Sequence, residues 1–249
     1  MAMTRRTKTP RALEAEVGYF DLVADLKKEG CPVCHGAHRA AWRYLDSLLW
    51  EHVNDPDIRA KLRTSFGFCR EHSMMAISVA GQQSAALGMA ILYEDFLRSV
   101  DRQLEDAVRK RGKERSRRLR RTGRSPLPRP APCRVCASGR NVEENYLRLL
   151  ASAPDDSPIG TGIREPGRGL CLHHTLLGLH RVRSDEHADR LLACFTHGDR
   201  ELRGELREFI RKQDYRFQQE GLTHGEVSAW KRAVFRVVGE PTSRKEPSR

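Results

Sequence analysis

Apolar residues along this 249-residue chain recur at intervals of three and four, and no stretch alternates strictly enough to read as a strand. A first helix is expected from about Arg11 to Lys28, ended by Gly30, and a second from about Gly36 to His52. Asn54 or Asp55 then caps a short helix with Pro56 at its first position. Gly67-Phe68 breaks it before Cys69-Arg70-Glu71-His72, which opens a helical stretch to about Val79 and a break at Gly81. From about Gln83 a long helix carries Leu87, Ile91, Leu97, Val100, Leu104 and Val108 on one side.

The second half repeats the order. A helix is expected from about Gly139 to Ala151, and a turn-rich loop from Ala153 to Gly169 takes the place of the short helix. Cys171-Leu172-His173-His174 begins another helix. A long amphipathic helix follows from about Asp185 to Glu220, carrying Leu191, Phe195, Leu202, Leu206, Phe209 and Ile210. Thr223-His224-Gly225-Glu226 has the form of a capping box for a last helix through Trp230 and Phe235, ended by Gly239 and Pro241. The expected fold is all-α, an internally duplicated helical protein with long helices.

Charge changes the picture in one place. The chain carries a formal net charge of +12, yet residues 109–129 hold eleven Lys/Arg against the single acid Glu114. The basic character therefore belongs to a segment rather than to the folded parts. Ser125-Pro126-Leu127-Pro128-Arg129-Pro130-Ala131-Pro132 stops the helix before it and reads as an extended linker. The expected organisation is a first half over 1–108, a basic, Pro-rich linker over 109–132, a second half over 133–240 and a disordered tail over 241–249. No apolar run approaches the roughly 18 residues of a membrane span. The basic N-terminus, with Arg5, Arg6, Lys8 and Arg11, is followed by Glu14, Glu16, Asp21 and Asp25 rather than an export segment, so a cytoplasmic location is expected.

Six of the seven cysteines obey one rule. A shift of 102 residues carries Cys31, Cys34, Cys69 and His72 onto Cys133, Cys136, Cys171 and His174, so that C-x2-C-x34-C-x2-H occurs twice. The same shift carries Tyr44, Leu45 and Leu48 onto Tyr146, Leu147 and Leu150. A C-x2-C turn aims two sulfurs at one point, and Cys and His one helical turn apart add two more donors. Three thiolates and an imidazole close the tetrahedron that zinc prefers. Two zinc ions per chain are expected, one in each half, with Cys31, Cys34, Cys69 and His72 on one and Cys133, Cys136, Cys171 and His174 on the other. His173, beside His174, is the alternative ligand.

Other readings of the cysteines weigh less. Iron–sulfur clusters use Cys3His more rarely than zinc does, and disulfides do not suit a cytoplasmic setting. Cys31-Pro32-Val33-Cys34-His35 matches the covalent haem pattern, but its counterpart lacks the final His. Pro132-Cys133-Arg134-Val135-Cys136 matches half of a zinc-deaminase signature, but the one H-x-E, His224-Gly225-Glu226, lies downstream of it. Cys194 reads as a small core residue.

Gly67-Phe68-Cys69 with His72, Gly88 through Tyr93 and Asp214-Tyr215-Arg216-Phe217 resemble an uncharacterised bacterial family known as a domain of unknown function. The resemblance spans nearly the whole chain and implies a bacterial cytoplasmic protein with no assigned activity. Asp214, Tyr215, Arg216 and Trp230 read as an ion pair and aromatic packing that join the last two helices, or as a partner surface. Four protein ligands per ion leave no open position for substrate, and no nucleophile–base spacing occurs. The expected function is thus a zinc-stabilised, non-enzymatic binding module. Its partner is a protein, or nucleic acid held without sequence preference by Arg109–Arg124. A thiol sensor that releases zinc on oxidation is the alternative, and an enzyme would need one ligand displaced.

Overall fold

The computed structural model describes residues 13–82, 85–109 and 129–241. Among them are ten α-helices and no strand, with one isolated backbone bridge between Gly30 and Arg168. In chain order the helices are α1 (Tyr19–Asp25), α2 (Pro32–Glu51), α3 (Pro56–Thr64), α4 (Arg70–Gln82), α5 (Ala86–Arg109), α6 (Arg134–Ser152), α7 (Pro158–Gly162), α8 (Leu172–Leu179), α9 (Asp185–Arg211) and α10 (His224–Val238). No helix among the described residues is long and apolar enough to cross a membrane. The all-α reading holds.

Several boundaries have local causes visible in the sequence. Asp55 is the N-cap of α3, its carboxylate accepting from the backbone N–H of Asp57 and Ile58, with Pro56 behind it. Thr223 and Glu226 form both bonds of the capping box that opens α10. Gly81, expected as a break, lies inside α4, because the helix runs on to Gln82. The loop expected over 153–169 contains α7, whose N-cap Ser157 accepts from Gly160 N–H with Pro158 at the first position. That is the same Pro-initiated turn as α3, 102 residues on. The long helix expected to Glu220 ends at Arg211, and a separate 3-10 turn covers Gln218–Glu220.

The compact units cut across the sequence halves. Of the described residues, those up to Arg39 and from Gly139 onward make one unit, and Ala40–Ser138 make the other. The division falls within α2 and within α6. The halves 1–108 and 133–240 are therefore not the packing units. Most of the basic linker, residues 110–128, and the tail 242–249 lie outside the described residues.

The first unit buries Leu13, Leu22, Leu26 and Val33 against Leu149, Leu150, Ile159, Ile163, Leu170 and Leu191. The second buries Leu45, Leu48, Leu62, Met75, Val79, Leu92 and Phe96, together with Val135 from the start of α6. Each such side chain contributes about 1.5–3 kcal/mol. Both cores thus draw on residues from both sequence halves, which is why the units cannot follow the repeat.

Each core carries one buried carboxylate held by arginine. In the first unit Asp25 pairs with Arg39, and Tyr146 donates its hydroxyl to Asp25 at 3.0 Å. In the second, Asp95 is gripped by Arg63 at 2.7 and 2.9 Å and by Arg59 at 3.1 Å. These pairs leave neither buried charge alone, the condition under which burying it is tolerable.

Candidate metal centres

All four Cys-containing motifs sit at helix starts. Cys31 precedes α2, Cys69 precedes α4, Cys133 precedes α6 and Cys171 is the N-cap of α8. The second member of each motif is then one turn into its helix, beside the first. The partial positive charge of a helix N-terminus favours thiolate, so each motif is an anion-tolerant place for sulfur.

The motifs do not close within the halves. Cys31 and Cys34 meet Cys171 and His174, all four buried, and Cys133 and Cys136 meet Cys69 and His72. Within each group the donor atoms all lie within 4.8 Å of one another. The expected pairing of Cys31 and Cys34 with Cys69 and His72 is overturned, and so is its counterpart in the second half. Each crossed group lies wholly inside one compact unit. The eight residues expected as ligands are the eight that assemble, in the other combination.

Backbone contacts bring the motifs together. In the first unit Gly30 donates to the Gly167 carbonyl at 2.9 Å, and Gly169 donates back to the Gly30 carbonyl at 3.3 Å. These bonds join the residues just before Cys31 to those just before Cys171. In the second unit Ala131 donates to the Thr64 carbonyl at 2.8 Å, which joins the approach to Cys133 to the turn before Cys69. Gly67, in that turn, has φ of +86°, and a Cβ there would meet the Phe96 ring at 2.9 Å. Glycine at this position satisfies both a left-handed backbone and a tight contact.

The donor spacing tests the fit to a metal. For Zn–S near 2.3 Å and Zn–N of ~2.0–2.1 Å, a tetrahedron has S···S edges of about 3.8 Å and S···N edges of about 3.5 Å. In the first centre Cys34 Sγ is 3.8 Å from Cys171 Sγ, and His174 Nδ1 lies 3.5, 3.4 and 3.2 Å from the sulfurs of Cys31, Cys34 and Cys171. In the second, Cys69 and Cys136 sulfurs are 3.7 Å apart, with His72 Nδ1 at 3.1, 3.3 and 3.8 Å from Cys69, Cys136 and Cys133. Both groups have the size and donor chemistry of a closed tetrahedral site, and no disulfide links the described cysteines.

The surroundings of the two centres differ. In the first, His174 Nε2 faces the Glu143 carboxylate at 3.6 Å, so the imidazole is oriented from behind as metal-bound histidines usually are. Glu143 is held below the usual carboxylate range by its contact with His174, against the opposing effect of burial. The Glu240 N–H donates to Cys34 Sγ at 3.4 Å. Gly239, with φ of +85°, lets this segment pass close over the sulfurs, and a Cβ there would lie 3.5 and 3.6 Å from Cys34 and Cys171 Sγ. In the second centre Cys69 and Cys136 are only partly buried. The position 102 residues before Glu143 is Ala41, which has no carboxylate to offer.

Within each group the donors act strongly on one another's ionisation. Hydrogen bonds with Cys31 and Cys34, and with His174, hold the Cys171 thiol far below its ordinary range despite burial. Burial alone would depress His174, but Cys171, Cys31 and Glu143 push it up to about 12. In the second centre burial opposes ionisation of Cys133, yet the contact with His72 brings it down to about 6. Arg236 supplies a half-buried positive charge in the first unit. Burial lowers it, the Cys31 and Cys171 sulfurs favour its charged form, and it donates to the Phe195 carbonyl at 2.5 Å.

The remaining expectations sort themselves by position. His173 is exposed and stacks edge-on against His174, its ring centroid 5.1 Å away, so His174 is the residue in the cluster. His35 donates to the Glu29 carbonyl at 2.8 Å and lies 3.7 Å from Glu240, occupied with its own unit. Cys194 is buried in the core of the first unit. Asp214 and Arg216 pair with each other at 2.6 Å rather than joining helices, and Tyr215 is exposed. The links between α9, its following turn and α10 include Lys212 to Glu226 at 2.9 Å, Arg232 with Glu205, and Arg236 with the Phe195 carbonyl. The sequence did not place Glu143, Gly239 or Arg236 beside a ligand cluster, although Gly239 reads there as a helix end. Only the glycine, just after the final helix, carried a readable signal.

A family profile described as a family of unknown function (DUF6062) matches residues 21–244, and the chain belongs to that family. The chain is 27% identical over 221 residues to an "Uncharacterized 23.9 kDa protein in xynA 3'region" of Caldicellulosiruptor sp. (strain Rt8B.4). That match covers 88% of this chain and 99% of the relative. No solved structure matches the chain.

Proposed function

We propose that this member of the DUF6062 family is a non-enzymatic binding module whose two helical units are each stapled by one zinc ion. The carrying observation is the pair of closed four-donor groups with tetrahedral edge lengths. Zinc is favoured over other metals because three thiolates and one imidazole at this spacing suit a d10 ion without further ligands. With all four positions taken by protein, neither centre offers a place for substrate or water, so the metal holds the fold and does no chemistry.

The crossed connectivity sets the scale of that role. Each ion joins a Cys pair and a Cys–His pair from opposite sequence halves, with Cys171 137 positions after Cys34 in one centre and Cys136 67 positions after Cys69 in the other. Structural zinc in small domains is worth about 10–16 kcal/mol, comparable to the whole stability of a domain. The binding role is assigned to the surface that this leaves. The exposed apolar side chains Val227, Trp230, Val234 and Val237 of α10 suit a protein partner. The Lys/Arg-rich run from Arg109 to Arg124 suits a polyanion.

Elemental analysis of purified full-length protein tests the metal reading. About two zinc ions per chain are expected, with loss of helical signal on chelation. Iron with a visible absorption band, or protein that stays folded and metal-free after growth in zinc, refutes it.

A further inference from the structure

We propose that Cys69 and Cys136 form an oxidant-reactive pair, so that the second centre gives up its metal on oxidation while the first keeps it. This rests on the zinc reading above and adds a modification site to it.

The two centres share their donor types but not their protection. Cys31, Cys34, Cys171 and His174 are all buried. Residues Gly239 and Glu240 lie against the sulfurs of Cys34 and Cys171, and the Glu240 N–H donates to Cys34. A sulfur that accepts a hydrogen bond and is shielded from solvent is a poorer nucleophile toward an incoming oxidant. In the second centre the protection is uneven. Cys133 and His72 are buried, whereas Cys69 and Cys136 are partly open to solvent. The sulfurs of those two half-buried residues are also near neighbours, 3.7 Å apart. Accessibility and proximity therefore fall on the same pair.

The chemistry balances with a peroxide as oxidant. One thiolate, from Cys69 or Cys136, attacks the O–O bond of hydrogen peroxide, forming a sulfenic acid and releasing hydroxide. The second thiolate attacks that sulfur, forming the S–S bond and expelling the second hydroxide. Two electrons pass from the two thiolates to the peroxide, and two protons from solvent complete two waters. Both S–Zn bonds are lost in the process. Cys133 and His72 alone are too few to retain the ion, so zinc leaves.

The experiment uses the unmodified, full-length, zinc-loaded chain, so no variant has to fold. Zinc per chain is measured first by mass spectrometry; a value other than about two counts against the zinc reading itself, before any oxidant is added. Hydrogen peroxide is then added in the presence of a chromophoric zinc chelator. At intervals the protein is denatured in alkylating reagent and digested. One zinc per chain should be released about tenfold faster than the other, or more. A disulfide between the Cys69 and Cys136 peptides should appear with the same time course, while Cys31, Cys34 and Cys171 remain alkylated as thiols. Release of both ions at one rate, first oxidation at Cys31, Cys34 or Cys171, zinc loss without the Cys69–Cys136 link, or no reaction with peroxide would each overturn the proposal.

Discussion

Cys34 Sγ lies 3.8 Å from Cys171 Sγ, where pairing within the halves would seat it beside Cys69. Paired substitutions read this relationship directly. Cys31→Ser with Cys171→Ser removes two ligands from one centre, so that variant should keep about one zinc per chain. Cys31→Ser with Cys69→Ser removes one ligand from each, and both ions should be lost to a competing chelator. Within-half pairing predicts the reverse. Zinc content after chelator challenge decides between them.

The ligands were legible and their partners were not, for a reason that lies in the duplication itself. A spacing that recurs at one offset is unchanged when the two Cys–His motifs are exchanged. Nothing in C-x2-C-x34-C-x2-H says which copy closes on which. The choice is made by contacts with no sequence signature, such as the Gly30–Gly167 backbone bond and the burial of Val33 against the residues of α6 through α9. The helix α7 was legible in principle, since Pro158 stands 102 residues after Pro56, but the glycines around it read as a loop. Glu143 lay out of reach, because only the fold places it behind His174.

Glu143→Gln should weaken the first centre alone. The carboxylate 3.6 Å from His174 Nε2 orients the ring and raises its basicity as a ligand. Losing such a partner typically lowers metal affinity roughly 10- to 100-fold. Competition with a chelator of known affinity should show one of the two zinc ions weakened by that factor and the other unchanged. Equal affinity at both centres in the variant and the unsubstituted protein would show that the carboxylate does not act on the metal.

Asp95→Asn should destabilise the second unit, by about 1–3 kcal/mol for loss of charged hydrogen bonds in a mostly buried site. Arg63 and Arg59 hold the Asp95 carboxyl below its ordinary range, burial notwithstanding. Its contribution is thus fully present above the unfolded carboxylate value of about 4 and fades as pH falls through the lower folded value. Acid also strips metal by protonating thiolates, so the absolute melting temperature is not the measure. The measure is the gap between the unsubstituted protein and the variant, which should be constant from pH 7 to 5 and narrow toward pH 3. A gap that widens on acidification would contradict the assignment of the ion pair.

The basic segment offers the sharpest division between the two partner classes. Residues 109–129 carry eleven Lys/Arg and no aromatic residue, so contact with nucleic acid would be through phosphates rather than stacked bases. Affinity from counterion release falls steeply with salt. If about six phosphates are neutralised, the log–log slope on duplex DNA should be near −5, from about 0.9 per phosphate. The matched variant replaces every Lys and Arg from 110 to 124 by Gln. This keeps chain length and all eight candidate ligands, so it should retain both zinc ions and its melting temperature. Binding of DNA at low salt should be lost in the variant, and in the unsubstituted protein it should show no preference among sequences. If the variant binds as well as the original, the contact lies elsewhere. If neither binds, the polyanion role is refuted and the exposed apolar face of α10, centred on Trp230, becomes the surface to test against protein partners.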